Sequence, residues 1–317
     1  MKKLATLSCL ALLGVAFAAP PDVGAQISAR LMRWADVSAD RIAFVYGGDI
    51  WIVARAGGTA MQVTNSPGEE SWPRFSPDGS EIAYSASYNG NTDVYVMPAT
   101  GGLPTRVTYQ SHGDRMVDWH PDGERLLFAS GRESGRQSFN QFYLVSKAGG
   151  LPGKLAVPYG ELASYSPDGN RLAYITKITE NYPFKRYQGG LSSDVLIFDL
   201  TTNTAQNITQ NPVNDGKPQW LGNRIYFVSD QGPNFRLNLW VHDVDTGAAT
   251  QITEFADFDI GFMSAGPDAL VFEAGGQLYL MDDATQQYAP VDVDVVSDLS
   301  VEMPRSVDVS GSIGNMT

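Results

Sequence analysis

One pattern recurs six times along this 317-residue chain: an aromatic, a turn of the Ser-Pro-Asp-Gly type, two apolar strand-like runs, and a Gly-rich turn before a Thr. The plainest copy runs from Pro73 through Phe75, the turn Ser76-Pro77-Asp78-Gly79 and Ile82-Ala83-Tyr84. It continues through Asp93-Val94-Tyr95-Val96-Met97 and Gly101-Gly102 to Val107-Thr108. Aligned on the first apolar residue after the turn, the copies are anchored at Ile42, Ile82, Leu126, Leu172, Ile225 and Leu270. Neighbouring anchors are 40, 44, 46, 53 and 45 residues apart. A period of forty-odd residues with four strand-like runs per copy implies an all-β, six-bladed propeller. Long helical periodicity between the runs is absent, which argues against a βαβ fold.

The turns recur as Ser76-Pro-Asp-Gly79, His120-Pro-Asp-Gly123 and Ser166-Pro-Asp-Gly169, with degenerate forms at Ser38-Ala-Asp40, Leu221-Gly-Asn223 and Gly266-Pro-Asp268. Pro presets the second turn position, Asp bonds nearby backbone and Gly accepts a positive φ. Asp78, Asp122, Asp168 and Asp268 therefore read as turn stabilisers rather than catalytic carboxylates. Trp51, Tyr95 and Trp240, at large-apolar positions of the following strand, read as core. Outer strands are expected to end near Val63-Thr64, Val107-Thr108, Leu155, Ile208-Thr209, Ile252-Thr253 and Val291. Ring closure has no clear donor strand: Gln26 to Trp34 is short, and Val291 to Val295 can stay with blade six.

Residues 1–19 have the order of a secretory signal: Lys2 and Lys3, an apolar stretch from Leu4 to Phe17, and the small-residue site Ala16-Phe17-Ala18, with cleavage as late as Ala25 an alternative. The only cysteine, Cys9, falls in this segment and fits a lipoprotein site poorly. The expected organisation is signal 1–19, propeller 29–292 and a polar tail or linker 293–317. An exported chain without disulfides suits a bacterial periplasm. The formal net charge of −13 and the lack of a Lys/Arg-rich run argue against nucleic acid and anionic membrane surfaces as partners. No later stretch has the length of a membrane span.

Candidate chemistry is sparse. The three histidines, His112, His120 and His242, show no metal-ligand spacing, and no Gly-x-Ser-x-Gly elbow occurs. No catalytic residue, metal site or cofactor is assigned. The one long departure from the repeat is Thr176 to Gly190 in blade four. It gathers Tyr182, Phe184, Lys185, Arg186 and Tyr187, aromatic and basic in an acidic chain. Two readings fit: a partner- or peptide-contacting loop, since Arg and Tyr are favoured interface anchors, or a loop folded onto its own blade with its cations paired internally. Ser130 to Ser138 reads as a solvated hairpin.

Several segments outside the bare repeat, Leu31-Met-Arg-Trp-Ala-Asp-Val-Ser38, Phe44-Val-Tyr-Gly-Gly-Asp-Ile-Trp51, Gly90-Asn-Thr-Asp-Val-Tyr-Val-Met-Pro98 and Lys185-Arg-Tyr-Gln-Gly-Gly190, resemble the N-terminal six-bladed propeller of the tricorn-type serine peptidases, from about Ala29 to Val307. In that family a second propeller, a PDZ domain and a catalytic core carrying the nucleophilic serine follow. Arg305 to Ser310 looks like the entry to the second propeller, and none of the family's catalytic residues matches a position here. The resemblance implies a non-catalytic module of a peptide-processing machine, acting as a gated channel, docking surface or scaffold. Peptides, downstream peptidase domains or a second copy are the implied partners. A free-standing interaction propeller of the TolB type is the alternative.

Overall fold

The computed structural model describes residues 27–135, 139–178, 186–190 and 192–296. All regular structure among them is β. Six antiparallel four-stranded meanders follow one another along the chain: 33–62, 70–106, 114–154, 162–207, 215–251 and 260–291. Their innermost strands are Arg33–Val37, Glu70–Phe75, Asp114–Trp119, Leu162–Tyr165, Asp215–Leu221 and Ile260–Ala265. Each packs on the next around the ring, and the first meets the last. The chain is the six-bladed propeller that its period implies.

All six anchors fall on the second strand of their blade and are fully buried: Ile42, Ile82, Leu126, Leu172, Ile225 and Leu270. Alternate side chains of a strand face opposite ways, so each blade feeds two seams. Ile82 and Tyr84 pack toward blade one, whereas Ala83 between them packs toward blade three. Six apolar clusters result, one per seam. Burying one such Leu or Ile side chain contributes roughly 1.5–3 kcal/mol.

The repeated Thr has a defined task. Its Oγ1 accepts the N–H that opens the third strand: Ile50 to Thr64 at 2.7 Å, Val94 to Thr108 at 3.0 Å, Val195 to Thr209 at 3.0 Å and Leu239 to Thr253 at 2.9 Å. The repeated Asp works as the turn pattern predicts. Asp78 accepts the Ser76 hydroxyl at 2.6 Å and the Ser80 N–H at 3.0 Å, and Asp168 accepts the Asn170 N–H at 3.1 Å. These bonds favour the ionised form and hold the Asp78 carboxyl at about 2.

The ring closes by a route that the sequence does not announce. Blades one and six are each built from contiguous strands, so no blade is completed by exchange between termini. Val293–Val295, which the sequence reading keeps with blade six or the tail, crosses to the outer edge of blade one. It pairs there in parallel with Gly58–Gln62, and Ile27–Ser28 adds antiparallel outside it. Two glycines permit the approach. At Gly57 (φ 84°) a Cβ would lie 2.4 Å from the Asp292 carbonyl oxygen, and at Gly266 a Cβ would lie 2.4 Å from the Val37 carbonyl oxygen. Ala29, Met32, Val271, Leu278, Val291, Val293 and Val295 fill the seam.

Candidate functional face and central channel

In an antiparallel meander the loops alternate between the two ends of the ring. Connections between first and second, and third and fourth, strands form one end, called here the turn end. Connections between second and third strands, and the links between blades, form the other, the loop end. The segment from Thr176 to Gly190 joins second to third strand, so it belongs to the loop end. Tyr182, Phe184 and Lys185 lie outside the described residues. Arg186 is exposed, with φ 59°, and Tyr187 is 39% exposed. The backbone here is tied down: the Tyr187 carbonyl accepts Asn214 Nδ2 at 2.9 Å and Ser192 Oγ at 3.0 Å, while Asn214 is itself held by Asp230. Arg186 and Tyr187 are thus presented from an anchored stem above the seam between blades four and five.

Other large apolar side chains stand exposed at the loop end: Leu31, Tyr109, Tyr159, Phe235 and Phe258. Backbone strain gathers there too. Eight described non-glycine residues have positive φ, and six of them, Leu31, Trp34, Trp72, Arg186, Lys217 and Phe235, belong to loop-end segments or the start of innermost strands. Such conformations cost on the order of 1–3 kcal/mol each and gather at functional sites. The other two, Asn203 and Gln286, sit in tight turns at the turn end.

The seams at the loop end each bring acidic or amide groups together, and arginines answer only some. Beside the seam between blades two and three, Arg106 meets Asp93 at 2.6 Å within blade two, and Arg132 grips both oxygens of Asp114 at 2.7 and 2.6 Å within blade three. Between three and four, Arg115 meets Glu161 at 2.7 Å. Between blades one and two, Glu70 is buried beside Asp49 and accepts Tyr88 Oη at 2.6 Å and Thr64 Oγ1 at 3.1 Å. Burial, with the Asp49 charge adding to it, pushes its carboxyl up to about 8. Under the blade-four loop, burial raises Asp215 to about 6, against the hydrogen bond from Asn211 at 2.8 Å.

Around the axis, one residue of each innermost strand, the one before the residue that enters the turn, forms a polar ring: Asp36, Arg74, Asp118, Ser164, Gln219 and Ser264. Each reaches the neighbouring blade. Asp36 accepts the Phe75 N–H at 2.6 Å, Arg74 Nε donates to the Val117 carbonyl at 3.1 Å, and Asp118 accepts the Tyr165 N–H at 3.0 Å. Ser164 accepts the Trp220 N–H at 3.0 Å, Gln219 accepts the Ala265 N–H at 3.1 Å, and the Ser264 hydroxyl donates to Asp36, completing the circle. Arg74 also pairs with Asp36 at 3.5 Å. Lost hydration raises Asp36 despite Arg74, and it pushes Asp118, half-buried in the channel wall, up to about 7. Asp36, Arg74, Asp118, Ser164 and Ser264 of this ring line the wall of a cup of about 460 Å³ at the turn end, rimmed by Pro77, Pro121, Pro167 and Pro267. The sequence reading does not include this ring, although its signal is present: all six copies carry a polar residue at that position.

His112 is exposed in a loop-end link, His120 lies in its turn beside Asp122 and Arg125, and His242 is buried on the third strand of blade five. Among the described residues, no three His, Cys, Asp or Glu side chains are grouped to hold a metal ion, and no helix is long and apolar enough to cross a membrane.

Comparison with known proteins agrees with this geometry. A tricorn protease homolog of Saccharolobus solfataricus is 24% identical over 280 residues, covering 86% of this chain and 26% of the relative. A relative named putative tricorn-like protease N-terminal subunit, from Sulfurisphaera tokodaii, is 27% identical over 169 residues, 51% of this chain and 83% of that protein. The crystal structure of the tricorn protease superimposes with a TM-score of 0.71 at 22% identity, covering 83% of this chain and 26% of the solved one. The chain spans about a quarter of the length of the full-length tricorn homologs. Residues 29–287 match the family described as the tricorn protease N-terminal beta propeller domain, and the chain belongs to that family.

Proposed function

We propose that this chain is the non-catalytic propeller module of an exported tricorn-like peptidase, and that it engages peptides or the peptidase's other domains through its loop end. The observation that carries the reading is the coincidence, at one end of the ring, of left-handed backbone at Leu31, Arg186 and Phe235 with five of the six exposed aromatics among the described residues, Tyr109, Tyr159, Tyr187, Phe235 and Phe258. Strain and solvent-exposed aromatics both oppose stability and are retained where a partner repays them. Export rests on the signal-like order of residues 1–19, with the bacterial periplasm as the destination. A relative named as an N-terminal subunit supports a propeller made apart from its catalytic polypeptide.

The test is to coexpress the chain with the catalytic part of a tricorn-type peptidase from the same genome. The two should coelute in gel filtration, and Arg186→Ala with Tyr187→Ala should weaken coelution and peptide hydrolysis while leaving the propeller's melting temperature within a degree or two. Coelution and hydrolysis unaffected by these changes and by Phe235→Ala would reject the loop end as the contact.

A further inference from the structure

The innermost strands are irregular at one shared level. In four of them the register with the second strand breaks over a three-residue step, between Arg33 and Asp36, Ser71 and Arg74, Gly216 and Gln219, and Ile260 and Met263; blade three breaks over a shorter step, between Met116 and Asp118. Such bulges re-aim side chains. At three of the four the residue two before the polar ring takes a left-handed conformation: Trp34 (φ 51°), Trp72 (φ 57°) and Lys217 (φ 53°). The fourth places Phe262 at the matching position. Trp34, Trp72 and Phe262, from three successive blades, meet one another directly. Ring centroids are 5.7 Å apart for Trp34 and Trp72, 5.9 Å for Trp34 and Phe262, and 4.9 Å, edge to face, for Trp72 and Phe262.

Trp72 does more than join its neighbours. It packs against the apolar cluster of the seam between blades two and three and also against that between blades four and five. A side chain from blade two that touches both seams lies across the axis. Arg115 of blade three stacks 5.3 Å from its ring, and Lys217 of blade five stands 5.8 Å from the Phe262 ring. None of the three aromatics lines the turn-end cup, whereas Trp34 forms a wall of a separate cleft of about 440 Å³ at the loop end, with Arg30, Leu31, Arg33 and Glu70.

We infer that Trp72, braced by Trp34 and Phe262, is a stopper across the axial channel, so that the turn-end cup is blind and no peptide passes along the axis. An extended peptide needs an open bore about as wide as a strand, and three rings in van der Waals contact at one level leave none. The left-handed backbone at Trp34 and Trp72 re-aims each tryptophan away from the blade face that regular pleating would give it. The inference stands on channel geometry and does not require the parent peptidase. Combined with the proposed function, it puts peptide or domain contact on the loop-end surface and excludes the bore as a route.

The test is a pair of crystal structures soaked with hexaethylene glycol, a flexible rod of peptide-like width. In the unaltered protein, the aromatic trio should close the bore, with no solvent or ether continuous past Trp72. In Trp72→Gly, where glycine accepts the left-handed φ without strain, an unbroken channel should join the cup above Asp36 and Asp118 to the loop end. Ether threaded past Trp72 in the unaltered protein, or a solvent path between the three rings, would overturn the inference. So would a Trp72→Gly bore still closed by other side chains. Should Trp72→Gly fail to fold, the unaltered crystals decide alone.

Discussion

The two ends of the ring treat their carboxylates in opposite ways. At the turn end, Asp40, Asp78, Asp122, Asp168, Asp199, Asp243 and Asp282 are open to water and accept hydrogen bonds from nearby groups. Their carboxyls titrate below the ordinary range. Toward the loop end, Asp49, Glu70, Asp93, Asp215 and Glu273 are withdrawn from solvent and titrate above it, as do Asp36 and Asp118 in the channel wall. The first group closes turns that hold the ring together. The second is tolerated where seams and bore are crowded for other reasons. One end is built of open turn carboxylates; the other carries strain, buried acids and exposed aromatics, the features on which the proposed partner contact rests.

The comparison breaks first in the channel. Asp36→Ala would leave the Phe75 N–H, the Ser264 hydroxyl and Arg74 without their partner at the seam where the ring closes. A loss of about 3–5 kcal/mol in urea unfolding is expected. Asp78→Ala, removing an open turn carboxylate, should cost far less; equal losses would contradict the division of roles. Gly266→Ala tests closure itself. The new methyl would press on the Val37 carbonyl, and a loss of about 1–3 kcal/mol is expected, whereas Gly222→Ala, with open space around it, should suffer only backbone strain.

The two carboxylate groups also predict opposite pH slopes. A carboxyl whose folded value is raised stabilises fully below its unfolded value and loses that contribution as pH rises through the folded one. Glu70, Glu273 and Asp118, at about 8, 8 and 7 against unfolded values of 4.5, 4.5 and 3.8, should therefore lower stability steadily from about pH 4 to pH 8. The turn-end aspartates act in reverse. Their stabilisation is present above 3.8 and is lost as pH falls toward about 2, the value for Asp78. Calorimetry should find the highest melting temperature near pH 4–5, and Asp118→Asn should flatten the alkaline side. A maximum above pH 7 would mean that the buried acids are already ionised at neutral pH.

The smallest stability effect is expected where the functional effect is largest. Arg186→Ala and Tyr187→Ala should each change unfolding free energy by no more than about 0.5 kcal/mol, since neither side chain is buried. A loss of several kcal/mol would show the stem of the blade-four loop to be structural.

The architecture was legible because its physics repeats. A turn needing Pro, Asp and Gly, an anchor two to four residues later, and a closing Thr recur at fixed offsets, and Ile42 through Leu270 fall where those offsets put them. What does not repeat was harder to read. Closure depends on Val293–Val295, three residues with no pattern of their own, seated by the close approaches at Gly57 and Gly266. The polar ring was visible as a column in the aligned copies, yet its meaning is a bond from each blade to the next, which only the ring's geometry supplies. The stopper had a fainter signal in Trp72-Pro73 and Lys217-Pro218. A proline inside a strand marks an edge or a bulge, and here it follows the residue that turns inward. The blade-four loop stands out by its length and composition; Arg186 and Tyr187 lie at the loop end, and Tyr182, Phe184 and Lys185 are outside the described residues.

The division of labour between the two ends is tested most directly by hydrogen–deuterium exchange on the propeller, alone and bound to the catalytic part of a tricorn-type peptidase from its own genome. The account predicts new protection over Arg186–Gly190, Gly232–Leu237 and Phe255–Ile260, with the turns at Ser76–Ser80, Ser166–Asn170 and the exposed Leu103 and Leu151 unchanged. Protection confined to the turn end, with the loop end exchanging as in the free protein, would contradict it.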